Sequence, residues 1–257
     1  MSVPSACERL LPGVEVIDAH GHIGLWGAPG GDGSIDELRR LMDASGFSRI
    51  VISSANSIIY DVPGGNREVA AAIAADKRVY GAVTFNAHYP QEAREEILRY
   101  SEDPRFVAAK IHPGHMRIAV DHPDNMKLYE LLAEQGLPLT AHTWTGDGPR
   151  VERVARAFPE VTFVWYHALA DDYRLAAELA AELPNVYLEY AVSRQIPGKV
   201  ETLVQIAGSE RVLFGTDQTL INPVYALGPT LEADIAEEDR ARVLGLNARR
   251  VFDFEKS

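Results

Sequence analysis

Cysteine is almost absent: Cys7 is the only one in 257 residues, so no internal disulfide can form. With no histidine cluster near it in sequence, it reads as an ordinary N-terminal residue rather than a redox or thiolate metal site. No apolar run approaches the roughly 20 residues that a membrane span requires. No basic segment leads into an apolar one at the start, so the expectation is no membrane anchor, no signal peptide and a cytoplasmic location. Basic runs and aromatic-basic interleaving are also missing from a chain of net charge -12, which argues against nucleic acid as a partner. That acidity leaves room for an anionic small substrate, because a bound divalent cation dominates the field inside a pocket. The first strand is not followed by G-x-G-x-x-G, which removes support for a dinucleotide-binding open sheet. No linker, low-complexity stretch or composition break appears. The chain therefore reads as one domain over residues 1–257, with 1–12 as an N-terminal extension and 248–257 as a C-terminal tail.

What the chain has is alternation. Apolar, β-branched runs at 14–22, 49–53, 79–84, 106–111, 137–142, 161–166, 185–190 and 211–216 read as strands. A Gly-rich loop from Gly24 to Gly33 follows the first of them, and Ser34 with Glu37 three residues on marks the start of a helix reaching about Ser45. Further helical stretches fall at 67–76, 91–100, 125–135, 149–157, 173–182, 198–207 and 236–246, the third of these closed by Gly136 at C′. Eight strand-helix units at this spacing predict a parallel sheet closed into an α/β (β/α)8 barrel, a fold for which this length is typical.

Chemistry in such a barrel sits at the C-terminal strand ends, and the polar residues gather there. The first strand ends in Asp18-Ala19-His20-Gly21-His22. Period-two geometry puts Asp18, His20 and His22 on one face and Ile17 and Ala19 on the other, so two imidazoles converge as ligands for zinc or a similar ion. The later strands end in Lys110 and His112, His142, His167, Glu189 and Asp217, which brings five of the eight histidines to one rim. A hydrogen-bonded core histidine accounts for His142 or His167 taken singly; beside the H-x-H pair, ligation accounts for them better. A carboxylate at Asp217, ending a buried strand, calls for a cation. Lys110 has three readings: pairing with a substrate carboxylate, pairing with Glu189, or carboxylation to bridge two metals. His88 and His122 read as exposed loop residues. His115 and Arg117 lie in a loop overhanging the rim, and Trp26 and Trp144 can wall an apolar part of the pocket.

The ordered set Asp18-Ala19-His20-Gly21-His22, Lys110-Ile111-His112-Pro113, His142, His167 and Gly215-Thr216-Asp217 resembles the amidohydrolase superfamily, in particular its amidohydrolase-related branch of metal-dependent barrel hydrolases and decarboxylases. The resemblance implies a divalent metal, most often zinc, held by His20, His22, His142 and Asp217. His167 would then be a catalytic group beside the metal, or a ligand together with Lys110 if a second metal binds. The form Lys110-x-His112 departs from two-metal members, which favours one Zn2+. The chain is also shorter than the branch's decarboxylases, which implies a small lid. The implied activity is hydrolysis of a small-molecule ester, lactone or amide by metal-activated water, with Asp217 moving the proton and His167 bonding the oxyanion. Lys110, His112, Arg117 and Trp144 would hold the substrate. A metal-dependent decarboxylase on the same residues, with Asp217 or His167 protonating carbon, is the alternative, and a noncatalytic metal-binding barrel a third reading. The expected partner is a small molecule, and a homo-oligomer is compatible with the sequence.

Overall fold

The apolar runs become eight strands that follow one another around the sheet in sequence order. They are β1 (Ile17–Ile23), β2 (Arg49–Ser54), β3 (Val79–Thr84), β4 (Phe106–Ile111), β5 (Leu139–His142), β6 (Phe163–Tyr166), β7 (Val186–Glu189) and β8 (Val212–Leu213). Every neighbouring pair is parallel. Main-chain bonds close the seam between β8 and β1: Ala19 N donates to Phe214 O (3.0 Å) and Asp217 N to His20 O (2.7 Å). The architecture is the predicted (β/α)8 barrel. The computed structural model describes residues 4–26, 31–191 and 196–256. Residues 1–3 of the N-terminal extension, 27–30 of the Gly-rich loop and 257 of the tail lie outside the described residues.

Alternate residues of each strand build two separate apolar layers. Ile17, Val51, Ala82, Ala108, Val164 and Leu213 fill the lumen, and Phe252 and Phe254 plug its lower end. Ile50, Ile52, Val83, Leu139 and Val212 face outward and pack under the helices. With the lower lumen filled, polar groups are left for the upper end of the barrel.

Helix starts follow their capping chemistry. Ser34 Oγ accepts from Glu37 N (3.1 Å) at the head of Ile35–Ser45, while the Glu37 carboxylate accepts from Gly33 N (3.0 Å), one residue before the expected capping-box partner. Gly136 closes Pro123–Gln135 with φ +63°, as predicted. The helix expected at 67–76 starts earlier, as Val62–Ala75, because Asp61 caps it by accepting from Gly64 N and Pro63 fits its first turn. Helices that were not foreseen include Ala6–Leu10, Ala55–Ile59, Pro113–Met116 and Pro223–Glu232, the last containing Pro229. The expected last helix at 236–246 is Glu237–Ala241 followed by a π-helical turn, Arg242–Leu246. The predicted tail is itself mostly helical, as Asn247–Phe252. Among the described residues no helix is long and apolar enough to cross a membrane.

The one-face reading of the first strand needs correction. Asp18 pairs with Ile50 but Gly21 with Ile52, so β1 carries one extra residue, a bulge. Below the bulge Ile17 and Ala19 enter the lumen; above it His20 and His22 do. Asp18 is thereby separated from the imidazoles. Its carboxylate accepts from His20 N (3.0 Å), Thr216 N (3.0 Å), Thr216 Oγ1 (2.5 Å) and Gln218 Nε2 (2.9 Å), tying the end of β8 to β1. Burial nonetheless pushes its carboxyl up to about 7.

Candidate metal and active site

The bulge in β1 sets two imidazoles edge to edge, with His20 Nε2 and His22 Nε2 3.1 Å apart. Asp217 Oδ1 approaches both, at 3.5 Å from His20 Nε2 and 3.2 Å from His22 Nε2. Asp217 stands in the left-handed region (φ +58°), a conformation costly for a residue with a Cβ, and its N–H bond to His20 O holds it there. The far nitrogens are also held. His20 Nδ1 lies 2.8 Å from Glu189 Oε2, and His22 Nδ1 lies 3.1 Å from Ser53 Oγ. Glu189 accepts in addition from Ala191 N and His167 N, so it faces His20 as an acceptor and fixes the proton on His20 Nδ1. The Nε2 lone pair is then left for a metal, the carboxylate-histidine arrangement found around bound zinc. Gly215 makes room for it: a Cβ there would come within 2.7 Å of the Glu189 carboxyl carbon.

A second group of rings stands beside the first. His167 Nδ1 donates to Ala191 O, which leaves His167 Nε2 to accept from His142 Nδ1 at 3.1 Å. His142 Nε2 consequently keeps a free lone pair. His112 stacks on His142 with centroids 3.8 Å apart, and Trp144 covers the other side at 5.6 Å and 9°. Trp26 meets His22 edge-on at 4.8 Å, and its buried Nε1 has no hydrogen-bond partner among the described residues.

Burial sets the charge states. Desolvation holds His20, His22 and His142 below the usual histidine range, His112 down to about 2 and His167 to about 4. All five rings are therefore neutral and ligand-competent at pH 7. Burial also raises Glu189 to about 8. At Asp217 burial works upward, but the His22 hydrogen bond and the charges around it outweigh burial and leave the carboxyl below its ordinary value. Lys110 is 1% exposed, and its Nζ has no hydrogen-bond partner among the described residues. The ammonium sits 4.1 Å from the centre of the Tyr166 ring, and burial lowers its pKa to about 7.

Two sets of three donors converge to within 4.8 Å among the described residues: His20, His22 and Asp217; and His20, His167 and Glu189. Of the ligands expected from the sequence, three form the first set. His142 belongs to neither and stands at the rim beside His167. The Lys110–Glu189 pairing is not formed, since Lys110 Nζ is unpartnered. His112, His115, Arg117, His142, Trp144 and Arg150 line a cavity of about 660 Å³ opening from the rim. His88 and His122 are exposed, as expected. Sequence reasoning missed Ser53, although it ends β2 beside the histidine strand, and Lys199, a lysine in the first turn of a helix whose position gives no hint of burial.

The donor set suits a divalent cation. Two neutral imidazole nitrogens and a carboxylate oxygen point at one another with their outer atoms already engaged, and this ligand chemistry is common to zinc and manganese. A barrel with such a set at its C-terminal rim defines a class, the metal-dependent (β/α)8 proteins.

Within that class the assignment comes from a family model described as amidohydrolase, which matches residues 17–254; the chain belongs to this family. No curated protein sequence matches it. Among solved structures it is similar to an uncharacterised TIM-barrel protein of Bordetella bronchiseptica (19% identity, 95% of this chain and 100% of that one, TM-score 0.78). It is also similar to a 2,6-dihydroxybenzoate decarboxylase from Rhizobium (18% identity, 95% and 99%, TM-score 0.74). A third is the 5-carboxyvanillate decarboxylase of Novosphingobium aromaticivorans, complexed with manganese and a nitrobenzoic acid (15% identity, 98% and 100%, TM-score 0.77). At these identities the likeness speaks to the fold.

Proposed function

We propose that the protein is a metal-dependent decarboxylase of a small carboxylic acid. The observation that carries this is Lys110: a buried ammonium with no hydrogen-bond partner among the described residues, in the same ring of side chains as the three metal donors, calls for an anion. The decarboxylases among the structural neighbours agree with it. His20, His22 and Asp217, with His142 as the expected fourth ligand, would hold one divalent ion. Zinc is expected from the ligand types, and manganese fits the same donors. When bound, that ion supplies a Lewis acid for a substrate oxygen.

The chain's own groups do the rest. Lys110 pairs with an anionic oxygen of the substrate, and that contact restores its charge at neutral pH. The parallel faces of His112, His142 and Trp144 form a wall suited to a planar substrate, while Arg117 and Arg150 attract its polar end. The bond to the carboxyl carbon breaks, CO2 leaves, and the carbon retains the electron pair and takes up a proton. Asp217, an ionised carboxylate adjoining His20 and His22, takes the proton that the reaction consumes from solvent water and hands it to that carbon, and the His142–His167 pair connects the site to the rim.

Hydrolysis of an ester, lactone or amide remains the second reading, because Asp217 is equally placed to take a proton from water. The deciding experiment incubates metal-loaded protein with a panel of hydroxybenzoates, other small carboxylic acids, lactones, esters and amides. Metal-dependent CO2 release from a carboxylic acid is expected. Acid or alcohol release without CO2 would support the hydrolase instead, and no turnover of any member would favour a noncatalytic metal-binding barrel.

A further inference from the structure

Outside the ring already described lies a second buried lysine. Lys199 opens the helix Lys199–Ala207 and is 2% exposed. Its Nζ donates to the main-chain carbonyl of His167 at 3.0 Å, with the Tyr173 ring 5.8 Å away. That carbonyl begins an unusual piece of backbone. His167, Ala168, Leu169 and Ala170 have φ of +70°, +48°, +57° and +53°, four successive positive-φ residues, none of them glycine. Side chains with a Cβ avoid this region, so the run persists only because its surroundings impose it.

The restraints can be named. Leu169 N donates to Thr143 Oγ1 (3.1 Å), and Thr143 Oγ1 in turn donates to Tyr166 O (2.7 Å), which pins the middle of the run to the end of β5. Lys199 pins its beginning. The residue whose carbonyl it holds is the one whose ring donates to Ala191 O and accepts from His142. A turn that relaxes when this carbonyl is released would shift the His167 Cα and break both ring contacts.

We infer that Lys199 is a positioning residue for His167, its ammonium clamping the His167 carbonyl so that the left-handed turn aims the imidazole at His142 and the metal donors. The role rests on His167 belonging to the proposed site, but the clamp concerns the ring's geometry and is read without any substrate. Loss of the ammonium frees the first peptide of the turn, and the ring leaves its single hydrogen-bonded tautomer.

The test is ¹⁵N-histidine NMR of the metal-free protein, which reports the tautomer of each ring. In Lys199→Met the His167 signals should move from the single Nδ1–H tautomer towards an average of both, while those of the distant His88 and His122 stay in place. Lys199→Arg, which keeps a cationic donor, should recover most of the wild-type His167 pattern. A uniform fall in melting temperature with His167 unchanged would mean mere structural support and would overturn the inference. Lys199→Gln provides a second variant, and unchanged His167 signals in either folded chain also overturn it. A measurement on the wild-type protein covers the case in which neither folds: the Lys199 ammonium must exchange its protons far more slowly than exposed Lys127. Equal exchange rates would overturn the clamp. A substrate panel that fails altogether would sink the decarboxylase reading and leave these signals as they are.

Discussion

Glu189→Gln offers the sharpest test of how the histidine strand is prepared for metal. Glu189 is fully buried and receives three donors: His20 Nδ1 (2.8 Å) and His167 N (3.4 Å) on Oε2, and Ala191 N on Oε1. Glutamine has nearly the same shape but replaces one oxygen by an NH2 group. Whichever way the amide turns, a donor then faces a donor, either at Ala191 or at His20 and His167. Losing a charge-assisted acceptor of this kind costs about 1.5–3 kcal/mol, equivalent to about 10- to 100-fold in metal affinity, the range seen when the partners of ligand histidines are removed. The metal-free protein should also lose some stability, because the same donors face one another without metal. The assay is Zn2+ and Mn2+ binding by chelator competition, alongside melting curves with and without metal. A tenfold or greater loss of affinity, on top of any fall in metal-free melting, is expected. Affinity within twofold of wild type would refute the claim that Glu189 orients His20 as a ligand.

Three further outcomes follow from the same geometry. Asp217→Asn, which keeps an oxygen near His20 and His22 but removes the carboxylate that takes up and passes on the proton, should retain most of the metal and lose turnover by about 10²–10⁴-fold, measured as steady-state rate against metal content. Gly215→Ala would drive a Cβ to 2.7 Å from the Glu189 carboxyl carbon; a cost of about 1–3 kcal/mol should appear as a lower melting temperature together with weaker metal binding. Lys110 and Lys199 are lowered by burial to about 7 and about 8, so the unfolded chain binds more protons than the folded one up to the ordinary lysine pKa. Stability of the metal-free protein should accordingly rise between pH 8 and 10, a rise that Lys110→Met should diminish in urea titrations.

Much of the barrel could be read from the sequence because its strands obey local rules. β3 and β4 begin and end where the β-branched runs at 79–84 and 106–111 do, and Ile35–Ser45 starts at its Ser34 cap. The features that escaped are those decided by tertiary contact. A one-residue bulge leaves no mark on composition, so Asp18 was grouped with the histidines although it fastens β8 instead. Pro223–Glu232 looked like loop because Pro229 interrupts its pattern. At the site, residue type and strand-end position brought out His20, His22 and Asp217. His142, which the same logic adds as a fourth donor, stands at the rim against His112, Trp144 and His167. Lys199 was invisible for a plain reason: a lysine in the first turn of a helix looks solvated until the chain folds over it.

The central claim is that one divalent ion sits where His20, His22 and Asp217 meet. Anomalous diffraction from crystals of the protein loaded with Zn2+ or Mn2+ tests it directly. The account predicts one dominant peak within coordination distance of His20 Nε2, His22 Nε2 and an Asp217 oxygen. No peak there, or a metal bound away from all three, would contradict it.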